Sequence, residues 1–473
     1  MLPSVRDGFL LYDKGMKQYR LVIIGAGSAG LSAVELAAGL GLGGVALVEQ
    51  EKRLGGECLH SGCVPSKAMI HAAQYNSRDP AAAWKHIQAS IKQIEDRSDN
   101  TKHVEKGGVT VLQGEAFFID RHTLQVGDAI IRSKYFLVAT GSSPSVPPIE
   151  GLGDIPYLTN ETFFTQKSLP KQLVIIGGGP IGCELAGAAA KLGSTVTLLQ
   201  SGERLLPREA AKVSQRVLEG LESNGVRVIL NADTKKVSHK SGMVQLTVEA
   251  GGVHHLRADA LLVAAGRTPR VQHLGLEKAG VKVGEKGLET DHYQRTSRRN
   301  IYAAGDVTSS PKFTHLAGQQ AGLAVRNMLS GPFKKSVTSL SDIPAITFTD
   351  PEVARFGMDS DMARKVKELT VLELEYSEID RAITDEYTGF IEVVFDRDGT
   401  LQGATIVGPQ ASELLSPLLV AAHHGVTLDR LATTMFAYPT LASGLNLLAS
   451  RYAAQQAARR PTLKFIRLFW KRR

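Results

Sequence analysis

The chain has 473 residues, too many for one hydrophobic core, and this length predicts two to four domains. A hydrophobic fraction of 43%, a charged fraction of 22% and a net charge of +8 are ordinary for a globular protein and do not indicate a nucleic-acid partner. No apolar run is long enough for a secretory signal or a membrane span, so a cytoplasmic location is predicted.

The first predicted element is a strand that runs through a glycine turn into a helix. Residues 21–24 (LVII) form the strand, residues 25–30 (GAGSAG) form the turn, and a helix-forming segment follows. In this context Gly25 permits the tight turn, and Gly27 lets a pyrophosphate approach the backbone. Gly30 lets the helix pack closely on the strand. The phosphates are expected at the helix N-terminus.

An acidic residue completes this first unit. Residues 45–48 (VALV) read as the next strand, and the strand ends at Glu49, nineteen residues after Gly30. A carboxylate at about that distance binds the ribose hydroxyls of a dinucleotide. Strand, turn, helix, strand and acid together therefore predict a dinucleotide site.

Two of the three cysteines follow, Cys58 and Cys63, with four residues between them. That spacing allows a small disulfide loop. Residues 66–73 are helix-forming and Pro65 suits a first helical turn, so Cys63 is predicted at a helix N-terminus, where a thiolate is stabilised. This pattern favours a redox cysteine pair. The alternatives are a structural disulfide, which reduced cytosolic thiols disfavour, and a metal clip, for which only His60 is near.

The strand–glycine–helix unit recurs further along the chain. Residues 173–176 (LVII) lead into residues 177–182 (GGGPIG) and another helix. Three glycines hold the same places as in the first unit: Gly177, Gly179 and Gly182. The next strand ends at Gln200, not at an acid. Two dinucleotide sites and a cysteine pair predict electron transfer from nicotinamide to flavin to disulfide; a decayed structural duplicate is the alternative.

These segments resemble the FAD-dependent pyridine nucleotide–disulfide oxidoreductases, among which mercuric reductase-like members are the most similar. Further segments match in the same order: 114–116 (GEA), 139–141 (ATG), 265–269 (AGRTP), 302–307 (YAAGDV) and 348–354 (FTDPEVA). The resemblance implies an α/β fold with two Rossmann-like dinucleotide-binding domains, for FAD and NAD(P), plus a C-terminal α+β dimerisation domain. The expected bounds are 1–150 and 271–340 for the FAD domain, 151–270 for the NAD(P) domain and 341–473 for the dimerisation domain. The serine- and proline-rich residues 142–148 (SSPSVPP) predict a linker at the first boundary.

The same resemblance implies roles for particular residues. FAD would be held by Gly25, Gly27, Gly30, Glu49, Lys67, Ala116, Thr140, Gly141, Asp306 and His315. NAD(P)H would bind at Gly177, Gly179, Gly182, Gln200 and Gly266. Cys63 would be the thiolate against the flavin and Cys58 the thiol that faces the substrate. Lys67 would form an ion pair with Glu184, which is physically reasonable because a buried lysine needs a counter-ion. No resident metal is expected.

One segment departs from the pattern. In dihydrolipoamide dehydrogenase and glutathione reductase a His immediately before Pro-Thr acts as acid–base, oriented by a Glu a few residues later. Here Tyr438 and Ser443 take those places. A phenol with an ordinary pKa of about 10 is a poor base at neutral pH. Mercuric reductase has a Phe and a Tyr in this segment, but it also has a C-terminal cysteine pair that this chain lacks. Tyr438 is thus either a site residue or an interface aromatic.

The expected protein is a homodimeric flavoenzyme that takes hydride from NAD(P)H and passes electrons through Cys58 and Cys63. The acceptor is a metal ion of the mercuric class, a disulfide or a quinone. The alternative enzyme is a dihydrolipoamide dehydrogenase or glutathione-type reductase, and the alternative of another class is a flavin-bound redox sensor with little turnover. NADH and NADPH stay open, since Gln200 and Ser201 carry no charge.

The C-terminal residues 459–473 mix basic and large apolar side chains. Such a tail is able to dock peripherally on an anionic membrane, here the inner membrane surface. Packing against the dimer and a disordered tail are the alternatives.

Overall fold

The computed structural model describes residues 16–75, 79–330 and 342–459. Within them the strands are β1 (Lys17–Ile24), β2 (Val45–Glu49), β3 (Thr110–Gln113), β4 (Ala116–Phe118), β5 (Thr123–Val126), β6 (Ala129–Val138), β7 (Ser142–Pro144), β8 (Gln172–Ile176), β9 (Thr195–Leu199), β10 (Arg227–Ile229), β11 (Asp233–Lys240), β12 (Met243–Glu249), β13 (Val253–Ala258), β14 (Ala260–Val263), β15 (Arg267–Pro269), β16 (Val283–Gly284), β17 (Gly287–Leu288), β18 (Ile301–Ala303), β19 (Ala345–Thr347), β20 (Val353–Gly357), β21 (Thr370–Glu375), β22 (Phe390–Phe395) and β23 (Leu401–Val407). The helices are α1 (Ser28–Gly39), α2 (Gly56–His60), α3 (Cys63–Tyr75), α4 (Pro80–Arg97), α5 (Thr101–Lys106), α6 (Asn160–Phe163), α7 (Pro180–Lys191), α8 (Ala211–Ser223), α9 (Thr314–Ser330), α10 (Ser360–Ala363), α11 (Asp380–Thr384), α12 (Ala411–His423), α13 (Leu428–Ala432) and α14 (Ser443–Arg459).

The chain divides into two units. Of the described residues, the first unit takes 16–65, 88–145 and 267–330, and the second takes 66–75, 79–87, 146–266 and 342–459. Helices α3 and α4 each contribute residues to both units. The predicted α/β fold is confirmed, and the assignment of one cofactor to each stretch of chain stays a prediction.

The first unit is built on a seven-stranded sheet in the order β3-β2-β1-β6-β5-β4, with β18 paired to β6. Its centre is parallel, and Ile23 pairs with Leu47 on one side and Leu137 on the other. All three side chains are fully buried, as expected for a parallel sheet that is covered on both faces. Helices α1 and α9 pack together over this sheet through small residues such as Ala33 and Ala321. The carboxyl ends of the parallel strands form the edge at which a ligand is expected.

The second unit contains a parallel sheet in the order β10-β9-β8-β14 and an antiparallel sheet β11-β12-β13. Ile175 of β8 pairs with Leu198 on one side and Leu262 on the other, which repeats the arrangement of the first unit. The same unit holds the antiparallel sheet β19-β20-β23-β22-β21, whose apolar face is covered by α12 and α14.

The predicted linker at residues 142–148 is partly wrong: the two units do divide between residues 145 and 146, but the segment is not without secondary structure. Its first three residues form β7, which pairs antiparallel with β15 so that Ser142 lies opposite Pro269. The proline-rich composition suggested a linker, but Pro144 is tolerated here because this ribbon has only two strands and Pro144 lies at its end.

In the part of the chain that the structure describes, no helix is both long and apolar enough to cross a membrane. The membrane-docking hypothesis concerns residues 459–473, of which Arg459 ends α14 and residues 460–473 lie outside the described residues. That hypothesis stays a prediction.

Candidate active site

The two glycine turns have the same steric design. A Cβ on Gly25 would lie 2.4 Å from the carbonyl oxygen of Ala139, and one on Gly30 would lie 1.8 Å from that of Gly25. A Cβ on Gly27 would meet no atom closer than 3.9 Å. The outer glycines are therefore required by the protein's own backbone, whereas the middle one keeps the surface open. This is the cradle that a dinucleotide pyrophosphate needs at a helix N-terminus.

The second turn repeats these distances. A Cβ on Gly177 would lie 2.4 Å from the carbonyl oxygen of Ala264, and one on Gly182 would lie 1.9 Å from that of Gly177. A Cβ on Gly179 would have no neighbour within 4 Å. Both turns therefore fit a dinucleotide, and neither shows the loss of space expected of a decayed duplicate.

Further predicted FAD residues lie at the carboxyl edge of the first sheet. Glu49 ends β2, and its Oε2 accepts a hydrogen bond of 2.7 Å from the backbone N–H of Ala26. Thr140 and Gly141 follow β6, and Asp306 follows β18. The Thr140 hydroxyl donates a hydrogen bond to a backbone carbonyl. The carboxylate of Asp306 lies at this edge and accepts a hydrogen bond from a serine hydroxyl. The residues present fit the adenosine and ribityl parts of FAD.

The two cysteines lie on consecutive helices and are not bonded to each other in this structure. Cys58 lies within α2, and Cys63 begins α3, as the sequence predicted. A hydrogen bond with Cys63 is the largest of the influences that raise the pKa of the Cys58 thiol, and burial adds to it. Cys58 therefore holds its proton and donates it toward Cys63. The assignment of Cys63 as the thiolate of the pair stays a prediction.

Thr314, which sequence reasoning missed, lies against both sulfurs. Its Oγ1 is 3.4 Å from the Sγ of Cys63 and donates at 3.5 Å to the Sγ of Cys58. Thr314 is the first residue of α9, so the cysteine pair faces a second helix N-terminus. The neighbouring His315 is exposed and stacks on Phe313. The sequence separation of 251 residues between Thr314 and Cys63 left no local signal for this contact.

In the second unit Lys67 and Glu184 form the predicted ion pair, with 2.7 Å between Nζ and Oε2. The other oxygen of Glu184 accepts a hydrogen bond of 3.0 Å from the backbone N–H of Phe348. The Lys67 ammonium also lies 4.3 Å from the centre of the Phe348 ring. One buried carboxylate thus links α3 and α7 to the chain that follows β19.

Gln200 is buried, and its Oε1 accepts a hydrogen bond of 2.9 Å from the N–H of Gly178 in the second turn. The side chain is therefore engaged with the protein backbone and brings no charge to the place where a ribose is expected. Of the remaining predicted nucleotide residues, Ala116 is buried at the start of β4 and Gly266 adopts a φ of +130°; their roles stay predictions.

Tyr438 is 74% exposed in the single chain, and its hydroxyl donates a hydrogen bond of 3.0 Å to Oδ2 of Asp380. That bond raises the pKa of the phenol, because the carboxylate stabilises the protonated form. Ser443, which takes the place of the orienting Glu, instead donates to the backbone carbonyl of Thr440. The acid partner of Tyr438 thus comes from α11, a segment that sequence reasoning did not single out.

Among the residues that the structure describes, no group of three or more His, Cys, Asp or Glu side chains is placed to hold a metal ion. Cys183, the third cysteine, is fully buried behind the second glycine turn and is not part of the site.

Family models decide the identity of the chain. The model described as pyridine nucleotide-disulphide oxidoreductase matches residues 19–321, and the dimerisation-domain model of the same family matches residues 343–449. The chain belongs to this family. A pyridine nucleotide–disulfide oxidoreductase is an enzyme that depends on FAD and uses NAD(P)H, so the cofactor expectation is confirmed.

Two relatives of this oxidoreductase, one of which also has a solved structure, differ in their described activities. A mercuric reductase of Staphylococcus aureus is 35% identical over 451 residues, which cover 91% of this chain and 82% of that protein. The probable pyridine nucleotide-disulfide oxidoreductase RclA of Escherichia coli (strain K12) is 32% identical and covers 92% of this chain and 99% of that protein. A solved structure described as a Cu(II) complex of the HOCl-induced flavoprotein disulfide reductase RclA has a TM-score of 0.85 at 31% identity, with 92% and 99% coverage.

Proposed function

We propose that this oxidoreductase reduces a thiophilic metal ion of the mercuric class, bound by Cys58 and Cys63, with electrons from NAD(P)H. The observation that carries the proposal is a cysteine pair beside the Thr314 hydroxyl in a chain whose Tyr438 stands where an acid–base histidine is expected. Soft thiolate ligands favour soft metal ions. The similarity to mercuric reductases, and to a flavoprotein whose solved structure is a Cu(II) complex, supports the same class of acceptor.

The balance of the reaction defines what the residues must do. Bound FAD would accept hydride from NAD(P)H and make its two electrons available. The cysteine disulfide takes up two electrons and two protons to become two thiols. A divalent ion displaces both thiol protons when the sulfurs bind it, and two further electrons convert Hg(II) to the neutral metal, which leaves. Each metal turnover thus consumes one NAD(P)H and one Hg(II) and yields NAD(P)⁺, one proton and Hg(0).

The environment of Tyr438 argues for a metal ion over a disulfide. Reduction of an external disulfide releases a thiolate that needs a proton from a group titrating near neutral pH. The hydrogen bond to Asp380 raises the pKa of the Tyr438 phenol, so the phenol neither accepts nor releases a proton readily at pH 7. Reduction of the bound metal ion releases the neutral metal and no thiolate product, so the reduction step itself needs no such proton. Tyr438 is therefore proposed to line the acceptor site and to contact the bound acceptor through its ring and hydroxyl.

We also propose a homodimer. The match to the family's dimerisation domain supports it, and that part of the chain exposes large apolar side chains in the single subunit, among them Val420 and Met435. Light scattering is expected to give about twice the 50.8 kDa of one chain. Mixing a chain that carries Cys58→Ser with one that carries Tyr438→Phe tests whether Cys58 and Tyr438 of one active site come from different subunits. If they do, the mixed dimer has one intact site and activity is recovered.

The function is tested by anaerobic turnover of the FAD-loaded enzyme with NADH and NADPH against a panel of acceptors. The panel contains Hg(II) supplied with excess small thiol, a quinone, oxidised glutathione and lipoamide. Cys58→Ser and Cys63→Ser are each expected to lower Hg(II) reduction at least a hundredfold, whereas the matched variant Cys183→Ser keeps it. Faster turnover with lipoamide or glutathione than with Hg(II) would contradict the proposal. Quinone turnover that survives both serine variants would point to a flavin-only reductase, and no turnover with any acceptor would favour a redox sensor.

A further inference from the structure

The residue before the first cysteine forms an ion pair that the proposed chemistry does not use. The carboxylate of Glu57 binds the guanidinium of Arg267 through both oxygens, with 2.5 Å between Nη1 and Oε1 and a second contact between Nη2 and Oε2. The side chains are only 16% and 18% exposed. A bidentate, largely buried arginine–carboxylate pair fixes both position and orientation more tightly than a surface pair does.

Arg267 connects this pair to the acid that is proposed to bind the ribityl chain of FAD. Its Nε donates a hydrogen bond of 2.8 Å to the hydroxyl of Ser142, and that hydroxyl donates at 2.7 Å to Oδ2 of Asp306. Arg267 Nε is also 3.5 Å from the same Asp306 oxygen. The carboxylate beside Cys58 and the carboxylate of Asp306 are therefore held by a single guanidinium.

The network returns to the cysteines from the other side. The ammonium of Lys312 donates a hydrogen bond of 2.7 Å to the backbone carbonyl of Asp306. Two residues later Thr314 begins α9 and contacts the sulfur of Cys58. The chain thus forms a closed ring of contacts from Glu57 through Arg267 and Asp306 back to Cys58.

Helix α2 needs such an anchor. It has only five residues, and it follows Gly55 and Gly56, whose φ angles are +104° and +59°. Glycines in this region leave the entry to the helix without side-chain restraints. Leu59 is buried, but Glu57 supplies the charged link from α2 to β15 in the described structure. Without that link the buried Leu59 and the 2.6 Å contact between His60 Nε2 and the carbonyl of Leu54 still hold α2, but the position of Cys58 beside Cys63 is less tightly fixed.

We infer that Glu57 is a positioning residue for the redox reaction. Its ion pair with Arg267 holds Cys58 in position beside Cys63 and links that position to Asp306, the acid proposed to bind the ribityl chain of FAD. Holding the two sulfurs together raises their effective concentration and favours the disulfide over the dithiol. The inference rests on the proposed function in one respect, namely that Cys58 and Cys63 form a disulfide.

The test measures the dithiol–disulfide equilibrium of the FAD-loaded enzyme in glutathione buffers, with rapid alkylation and mass spectrometry. Dithiol oxidation releases two electrons and two protons, and oxidised glutathione takes them up as two glutathione molecules. Glu57→Gln keeps the size of the side chain but removes its charge. This variant is expected to lower the equilibrium constant for disulfide formation about tenfold, which corresponds to about 30 mV for a two-electron couple.

Glu95→Gln is the matched control. Arg53 and Glu95 also form a bidentate pair, at 2.8 and 2.7 Å, and Arg53 lies in the same loop just before α2. That pair does not reach Asp306, so Glu95→Gln is expected to change the equilibrium less than twofold. Arg267→Lys keeps the positive charge but removes the bidentate contact with the Glu57 carboxylate. It is expected to shift the equilibrium in the same direction as Glu57→Gln.

Each outcome decides the inference. An unchanged equilibrium in Glu57→Gln overturns it, and so does an equal shift in Glu95→Gln, because general loosening of the loop then explains the effect. Should Glu57→Gln fail to fold or retain FAD, Glu57→Asp keeps the charge with a shorter reach and is expected to give an intermediate shift; a wild-type equilibrium there also overturns the inference. A wild-type enzyme that forms no disulfide in any buffer refutes the proposed function itself.

Discussion

Replacing Lys67 with Met is expected to destabilise the second unit more than replacing Glu184 with Gln, although both changes break the same ion pair. The reason is unequal burial: the Lys67 side chain is 33% exposed and the Glu184 side chain only 7%. Lys67→Met leaves a buried charge whose remaining partner is the N–H of Phe348 at 3.0 Å. Breaking a buried pair in this way costs about 3–5 kcal/mol, and the partial exposure of Lys67 favours the lower end, about 3 kcal/mol.

Glu184→Gln has a smaller expected cost. The amide oxygen is still able to accept the hydrogen bond from Phe348, and the partly exposed Lys67 ammonium is able to recruit water. The loss is then that of one charged hydrogen bond, about 1 kcal/mol of the free energy of unfolding. The double variant is expected to recover about 2 kcal/mol relative to Lys67→Met, because the uncompensated carboxylate is gone.

The assay uses a probe in the same unit. Trp84 donates a hydrogen bond of 2.6 Å to the carbonyl of Gln166 and packs edge-on against Phe163. The only other tryptophan in the sequence is Trp470, so a Trp470→Phe background isolates the Trp84 signal. Urea midpoints at unchanged slope report the change in stability of this transition.

A second ion pair in the same unit serves as the control. Lys191 pairs with the more exposed Asp350, and Lys191→Met is expected to cost less than about 1 kcal/mol. The reasoning is refuted if Glu184→Gln costs as much as Lys67→Met, or if the double variant is no more stable than Lys67→Met alone.

Three further predictions concern the nucleotide, the acceptor and the third cysteine. Gln200→Glu keeps an acceptor for Gly178 and adds the charge that favours a 2′-hydroxyl, so kcat/KM is expected to shift at least tenfold toward NADH over NADPH; an unchanged ratio argues that Gln200 does not face the ribose. Tyr438→Phe removes the hydroxyl bonded to Asp380 and is expected to slow Hg(II) turnover about tenfold, while stopped-flow reduction by NAD(P)H is unchanged; equal slowing of both steps contradicts a role at the acceptor. Burial raises the pKa of the Cys183 thiol, so this thiol stays protonated at neutral pH and iodoacetamide is expected to label it only in urea; labelling of Cys183 in the native enzyme would show that the site opens.

The parts of the site that were predictable are those coded within a short stretch of chain. Gly25 and Gly177 adopt φ angles of +103° and +116°, which glycine tolerates and other residues rarely adopt. Gly30 and Gly182 follow at the spacing of the motif, and the surface left open for a pyrophosphate then lies over Gly27 and Gly179. The position of Cys63 at the start of α3 was predictable for the same reason, because a proline and a helix-forming run follow it at once.

The composition of residues 142–148 does not indicate the strand that begins there. Serine and proline there suggested a linker, yet Ser142 lies in a strand and joins Arg267 to Asp306. A two-stranded ribbon forms only when its partner, more than a hundred residues away, is brought alongside. The sequence near Ser142 carries no sign of that partner.

By itself the sequence determined the two dinucleotide turns, the helix that begins at Cys63 and the family to which the chain belongs, because backbone freedom and helix signals act over a few residues. Only the tertiary structure decided which side chains meet. It brought Thr314 to the sulfurs, tied Glu57 to Arg267 across 210 positions and gave Tyr438 an acid from α11. It also turned Gln200 onto the glycine turn. Those pairings depend on strand order and helix packing, which bring distant residues together only once the sheets have formed.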